Sequence, residues 1–214
     1  MGQFSDDGLW WWDSTAWVAT AEIVLPQLPP TEFEQSGRLG PARAHLRKSG
    51  WLNWQNDAGC ALDWIAMIPY VLVTLPALRD YRLWTLEQLS LATAYLLGPN
   101  EPVLAGEATV MPQEWMGDSS KRDLAVVVTA AHVLIFRIDF LDGQPRWIVL
   151  VAHPTEVKME VRSWVEAGFR GDALTVSRGD AQWLIRGAPG VWKPELVVGA
   201  WRTGSAQPLR APGN

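Results

Sequence analysis

Tryptophan is the residue type in this chain with the clearest capacity for molecular recognition, and it occurs 14 times in 214 residues. Four of them cluster near the start: Trp10, Trp11, Trp12 and Trp17. Each indole is a large apolar body with one N–H that needs an acceptor, and exposed aromatic side chains give much contact area at little entropic cost. The cluster is therefore the strongest candidate for binding a protein partner or a proline-rich segment.

A structural explanation of the same cluster, which we favour, is a clasp that packs on the rest of the chain. Strand alternation places Trp10 and Trp12 on one face and Trp11 on the other, so one face can pack while the other stays open. The chain also supplies a ligand of its own, because Pro26 and Pro29 form a P-x-x-P segment of the kind that aromatic grooves accept.

Residues that commonly catalyse reactions or hold metals are few. His45, His132, His153 and Cys60 are widely separated in the sequence, and the motifs for a nucleophilic serine, a phosphate loop, a dinucleotide site or a zinc protease are absent. We interpret the histidines as structural. We therefore predict no catalytic residue, no metal and no cofactor, and a protein that is not an enzyme.

Charge argues against nucleic acid as a partner. The net charge is −5, and six acidic residues precede the first basic one, Arg38, which leaves the rest of the chain close to neutral. A phosphate backbone needs a basic footprint that is missing here. The single cysteine excludes an intramolecular disulfide, and the acidic N-terminus lacks the charge order of a secretory signal. We expect a cytoplasmic protein, active in the cytosol or at the inner face of the membrane.

The elements that must position these residues fall into five segments. We predict a Trp-rich β-ribbon at 1–20, a proline-rich linker with a short basic helix at 21–57, an apolar helical pair at 58–99, a β-domain at 100–203 and a flexible tail at 204–214. Asp7-Gly8 and Asp13-Ser14-Thr15 are the turn signals of the ribbon, which is too small to be stable unless it packs on another element.

The helical pair is the most apolar part of the chain. Its uncharged run, 64–78, is interrupted by prolines and is shorter than the roughly 18 to 20 residues that span a bilayer. We predict that it is buried, or alternatively that segment 61–84 docks on a membrane surface with Trp64, Tyr70, Tyr81 and Trp84 at the interface. The second helix is predicted to begin with a capping box at Thr85 and Gln88 and to end at Gly98-Pro99.

Period-two patterning dominates the C-terminal half and predicts an α+β, mainly β, fold. The expected strands are 103–111, 124–129, 132–140, 146–153, 158–163, 173–177 and 182–186, followed by a helix at 194–201. Asp139 and Asp142 flank one turn, and Arg178-Gly179-Asp180 is read as another rather than as an adhesion tripeptide.

Seven strands followed by one helix resembles the pleckstrin-homology-like barrel of bacterial PH and GRAM-type domains. The run 124–136, in which a strand ends in Thr129 before a short turn and a strongly apolar strand, and the segment 151–157 carry this resemblance. It implies a seven-stranded antiparallel barrel closed by the C-terminal helix. It also implies that Lys121 and Arg122 lie where some such domains bind anionic headgroups.

The Trp-rich segment resembles a short domain of unknown function whose core is W-W-D-G-T-x-W, in which Ser14 here replaces the glycine. That resemblance implies architecture and no activity. Together these features predict a non-catalytic protein-interaction or scaffolding protein with a PH-like barrel and a Trp-rich clasp. A membrane-peripheral protein is the alternative, and an enzyme of unrecognised type is a third.

Overall fold

The structure is a computed structural model, and it describes residues 3–23, 25, 80, 82–98, 100–108, 124–138, 144–166, 169–186 and 193–205. Several predicted features lie outside the described residues: the short basic helix, the first apolar helix, the turn at Asp139 and Asp142, and the basic pair Lys121 and Arg122. The described part is mainly β, with antiparallel sheets and two helices.

The N-terminal segment forms the predicted three-stranded antiparallel ribbon. Its strands are β1 at Gln3–Phe4, β2 at Trp10–Trp12 and β3 at Trp17–Ala19, in the order β1-β2-β3. A single 3-10 turn follows at Thr20–Glu22. The packed part continues beyond the predicted boundary at residue 20, because Ile23 and Leu25 are buried with the ribbon.

The turns of the ribbon are held by carboxylates. Asp13 accepts hydrogen bonds from the backbone N–H groups of Thr15 and Ala16 at 2.7 and 2.8 Å, which closes the β2–β3 turn. Within that turn Ser14 has a φ of +86°, a left-handed conformation that glycine adopts without strain and serine does not. Serine at this position therefore costs stability that the turn hydrogen bonds offset.

Helix α1 is described at residue 80 and at 82–97, and it ends as predicted. Gly98 has a φ of +86° and its N–H donates to the carbonyl of Ala94 at 2.9 Å, the usual single-bond glycine cap. The predicted start is wrong: the helix begins before the expected capping box, and Thr85 and Gln88 are fully buried within it. The side-chain amide of Gln88 has no hydrogen-bond partner among the described residues.

Seven further strands are present among the described residues, and all correspond to predicted ones. They are β4 at Ala105–Ala108, β5 at Leu124–Val128, β6 at Val133–Ile138, β7 at Pro145–Ala152, β8 at Lys158–Glu166, β9 at Phe169–Arg178 and β10 at Ala181–Arg186. The first four pair as one antiparallel sheet in sequence order, and the last three pair as another. Helix α2 follows at Pro194–Ser205, longer by one turn than predicted.

The four-stranded sheet is covered on both faces. In β5 and β6 successive residues point to opposite faces, yet Val126, Val127, Leu134 and Ile135 are all 0% exposed. One face packs on α1 and the ribbon, and the other packs on the three-stranded sheet and α2. Burial of both faces explains why these strands read as continuous apolar runs rather than as alternating ones.

The β8–β9 hairpin is longer than predicted at its tip. Pairing continues from Ser163 opposite Asp172 to Glu166 opposite Phe169, beyond the predicted strand ends. Ser163 and Asp172 are exposed, and the serine hydroxyl donates to the carboxylate at 3.1 Å.

Candidate functional site

The ribbon has one face that packs on the body of the protein. Its three strands align Phe4, Trp11 and Val18 across that face, since Trp11 pairs with Phe4 on one side and Val18 on the other. Phe4 and Trp11 are 7% and 8% exposed and belong to the core shared by α1 and the four-stranded sheet. Trp11 is thus the inward tryptophan of the ribbon, and its side chain packs on the body of the protein.

Trp11 also caps the end of α1. Its indole N–H donates to the carbonyl of Leu96 at 3.2 Å, and its ring lies 5.9 Å from the ring of Tyr95. The last carbonyl groups of a helix have no intrahelical partner, so this bond satisfies a buried acceptor as well as the indole donor. One side chain therefore joins the ribbon to α1 by packing and by a hydrogen bond.

The turn between β1 and β2 is fastened to strands β7 and β9. Both terminal nitrogens of Arg178 lie 3.2 Å from the carbonyl oxygen of Asp7, and one lies 2.7 Å from a carboxylate oxygen of Glu156. Gly8, with a φ of +69°, lies so close to strand β7 that an added Cβ would be 2.2 Å from the carbonyl oxygen of Val151. Only glycine fits there.

The outward face of the ribbon is aromatic. Trp10 and Trp17 are 47% and 50% exposed, and Trp12 is partly exposed. Trp12 stands opposite Trp17 with their ring centroids 5.6 Å apart, whereas Trp10 stands opposite the small Ala19. Cross-strand partners share a face, so the small side chain leaves room beside Trp10.

That room is an open depression of about 380 Å³, which we call the Trp10–Trp17 depression. Among the described residues, Ser5, Trp10 and Trp17 line it. Both tryptophans are held by a backbone that is itself fixed: the N–H of Trp10 donates to Ser5 Oγ at 3.0 Å, and Trp17 follows the turn held by Asp13. The depression is apolar and open, and the backbone that carries both tryptophans is held by hydrogen bonds.

Carboxylates stand at both ends of this aromatic face. Hydrogen bonds from Ser5 and from the Leu9 backbone lower the pKa of Asp7, and hydrogen bonds from Thr15 and the Ala16 backbone lower the pKa of Asp13. Both groups are thus anionic well below neutral pH. The described ribbon residues, 3–23 and 25, include four acidic residues and no Lys or Arg.

A second cluster of polar side chains lies at the β5–β6 turn. A carboxylate oxygen of Glu101 is 2.7 Å from Nδ1 of His132, and the buried hydroxyl of Thr129 donates to the same oxygen. The hydroxyl also accepts the His132 backbone N–H at 2.8 Å. Although partial burial opposes its charge, the hydrogen bonds from His132 and Thr129 keep the pKa of Glu101 below its usual value.

This cluster lacks the geometry of nucleophilic catalysis. A catalytic hydroxyl is activated by a hydrogen bond to an imidazole nitrogen, whereas here Glu101 receives both the hydroxyl and the imidazole. The three side chains lock a turn, in agreement with the structural interpretation of His132. His153 is likewise structural, because Nδ1 caps the 3-10 turn Pro154–Glu156 through Thr155. His45 lies outside the described residues.

A buried ion pair went undetected in the sequence. Arg82, near the N-terminal end of α1, forms a salt bridge with Glu107 on β4, and its Nε lies 2.9 and 3.1 Å from the two carboxylate oxygens. The same carboxylate accepts a hydrogen bond from the backbone N–H of Lys193 at 3.1 Å. Glu107 is 0% exposed, and burial raises its pKa despite these partners. The pair joins α1, β4 and the start of α2.

Two surveys of the described residues bear on function. No described helix is long and apolar enough to cross a membrane. No group of three or more His, Cys, Asp or Glu side chains in the described part of the chain could hold a metal ion.

Comparisons with models of known protein families, with curated proteins and with solved structures find no match to this chain.

Proposed function

We propose that the protein is a non-catalytic interaction module whose binding surface is the outward face of the Trp-rich ribbon, formed by Trp10, Trp12 and Trp17. The main support for the proposal is that two tryptophans remain half exposed on one face of the ribbon, whereas the opposite face packs on the body of the protein. Aromatic side chains that are exposed yet held in one position lose little entropy on binding, which is why they dominate protein interfaces.

The rest of the molecule acts as the platform. We propose that the four-stranded and three-stranded sheets with α2 are the two halves of a PH-like barrel. The strand order, the core between the two sheets and the C-terminal helix support this interpretation. The barrel and α1 would then hold the ribbon in a fixed position, which suits a scaffolding protein of the cytoplasm.

The membrane-peripheral alternative is less well supported. It required Trp84 to lie at the lipid interface, and that side chain is 0% exposed. Enzymatic function has no supporting constellation among the described residues, since the His132 cluster locks a turn.

Affinity capture from the native host with quantitative mass spectrometry tests the proposal. The wild-type chain is compared with the double variant Trp10→Ala and Trp17→Ala, which removes exposed rings only. Leu196→Ala is the matched control, because Leu196 is 59% exposed on α2, away from the ribbon. The double variant should lose a specific set of proteins that the control retains. Identical capture by all three chains would disprove the proposed surface.

A further inference from the structure

We infer that the Trp10–Trp17 depression binds arginine side chains of an extended, basic polypeptide segment in the partner protein. This inference depends on the proposed function and adds the chemical class of the ligand. It rests on three features of the ribbon: the two open indole faces, the charge around them and the size of the space between them.

The indole faces are suited to a cation. The face of a tryptophan ring carries negative electrostatic potential, and a guanidinium within about 6 Å of the ring centre is attracted to it. The protein already contains such a pair, with the guanidinium carbon of Arg137 lying 5.0 Å from the ring centroid of Trp147. Trp10 and Trp17 present two more indoles, and no described Lys or Arg side chain stacks on either of them.

The surrounding charge selects a cation over a neutral ligand. The carboxylate of Asp7 is 2.6 Å from Ser5 Oγ, and Ser5 lines the depression. At the other end, Asp13 holds the turn that leads into Trp17. Arg178, which bonds the carbonyl of Asp7, is itself paired with Glu156, so its charge is offset. A basic segment lying along the aromatic face would have a carboxylate near each end.

The shape selects a side chain presented by a polypeptide. The depression of about 380 Å³ is open to solvent, and among the described residues only a serine and two tryptophans line it. A free small ligand usually binds in a cleft that encloses most of its surface. An open aromatic face instead suits an extended chain that lies across it, with planar guanidinium groups stacked on the indoles.

The test is titration of the full-length chain with a capped peptide of alternating glycine and arginine, monitored by the indole N–H resonances. We expect the peptide to shift the resonances of Trp10 and Trp17, assigned from Trp10→Phe and Trp17→Phe. The matched peptide contains citrulline, which has the shape of arginine without the charge. It should bind at least about tenfold more weakly, which corresponds to about 1.4 kcal/mol.

Variants of the protein sharpen the test. Asp13→Asn keeps an oxygen that can accept the turn hydrogen bonds and removes the charge, so it should weaken arginine-peptide binding several-fold while circular dichroism stays unchanged. Trp17→Ala should abolish the peptide-induced shift of the remaining Trp10 indole N–H resonance. Trp147→Ala is the control, because Trp147 is 44% exposed on β7 and already stacks on Arg137. That variant should bind the peptide as the wild type does.

Each contrary result overturns the inference. The inference is wrong if the citrulline peptide or free arginine amide binds as tightly as the arginine peptide. It is also wrong if a Leu-Pro-Gln-Leu-Pro-Pro peptide binds more tightly than the arginine peptide, or if no probe binds. The proposed function fails separately, when the tryptophan double variant captures the same host proteins as the wild type. If capture depends on the tryptophans and the citrulline peptide binds equally well, the interaction surface stands and only its arginine preference is wrong.

Discussion

The ribbon and the four-stranded sheet differ in how much of their apolar side-chain surface is exposed to solvent. In the sheet both faces of β5 and β6 are closed, and small or medium aliphatic side chains such as Val126 and Val127 reach 0% exposure. In the ribbon one face is closed and the other leaves two tryptophans half exposed. The protein therefore buries both faces of β5 and β6 and leaves Trp10 and Trp17 half exposed together on one face of the ribbon.

The difference separates the structural role of Trp11 from the recognition role that we propose for Trp10, Trp12 and Trp17. Scattered exposed apolar residues are ordinary, whereas adjacent large aromatic side chains on a rigid backbone indicate a binding surface. Trp11 is one residue from Trp10 and Trp12, yet it belongs to the core and they do not. Residue type and position in the sequence alone could not assign these roles.

The largest expected effect is on Trp11. Trp11→Ala should lower the free energy of unfolding by about 3 to 5 kcal/mol, because it empties a packed site and leaves the Leu96 carbonyl without its donor. Trp10→Ala removes an identical side chain that is 47% exposed and should cost well under about 1 kcal/mol. Urea unfolding of the two variants measures the difference. Similar small losses for both would mean that the ribbon does not stabilise the body.

The next effect concerns the ion pair beneath α1. Arg82→Met leaves the fully buried carboxylate of Glu107 without its charged partner and should cost about 3 kcal/mol. Arg162→Met is the control: its pair with Glu160 is at the surface, with the arginine side chain 60% exposed, and such pairs contribute at most about 1 kcal/mol. Thermal unfolding of both variants at one pH makes the comparison. Equal shifts in Tm would contradict the buried coupling.

A smaller and opposite effect is expected at the β2–β3 turn. Ser14→Gly should raise the free energy of unfolding by about 0.5 to 1 kcal/mol, because glycine adopts the φ of +86° without the steric cost that serine bears. Ser14→Ala keeps a Cβ and should give no gain. Denaturant midpoints distinguish the two substitutions, and a gain from alanine would show that backbone strain is not the cause.

The smallest effect depends on pH. Because the pKa of Glu101 is lowered on folding, its charged form contributes stability above its usual value of 4.5, and that contribution disappears as the pH falls through the lowered value. Glu101→Gln should therefore be less stable than the wild type near pH 7, with the difference shrinking on acidification below about pH 4.5. Chemical unfolding across this range measures it. A difference that grows in acid would contradict the predicted direction.

Local signals in the sequence predicted the elements well. The turn residues around Gly8 and Asp13 predicted the ribbon, Gly98 predicted the end of α1, and the two-residue turn at Gly179 and Asp180 was identified correctly. These features are determined within a few residues of chain. Apolar, β-branched segments bounded by turn residues likewise located all the strands of the β-domain that the structure describes.

Features that depend on distant contacts could not be predicted. The ion pair of Arg82 joins it to Glu107, 25 residues away, and no local signal in the sequence pointed to that partner. Alternation separated Trp11 from its neighbours without showing which face packs, since that choice depends on Leu96. Arg178 was interpreted as part of a turn, and its bond to Asp7 spans 171 residues.

The close fit of Gly8 against Val151 has a consequence for how separate molecules meet. Strand β7 is the last strand of its described sheet, and its outer backbone groups are of the kind to which another chain can add a strand. The turn at Gly8 occupies that position, and Arg178 reaches both the turn and the Val151 carbonyl at 3.5 Å. The ribbon thereby covers the β7 edge at Val151, and we expect a chain lacking the ribbon to expose backbone groups there that can pair with another molecule.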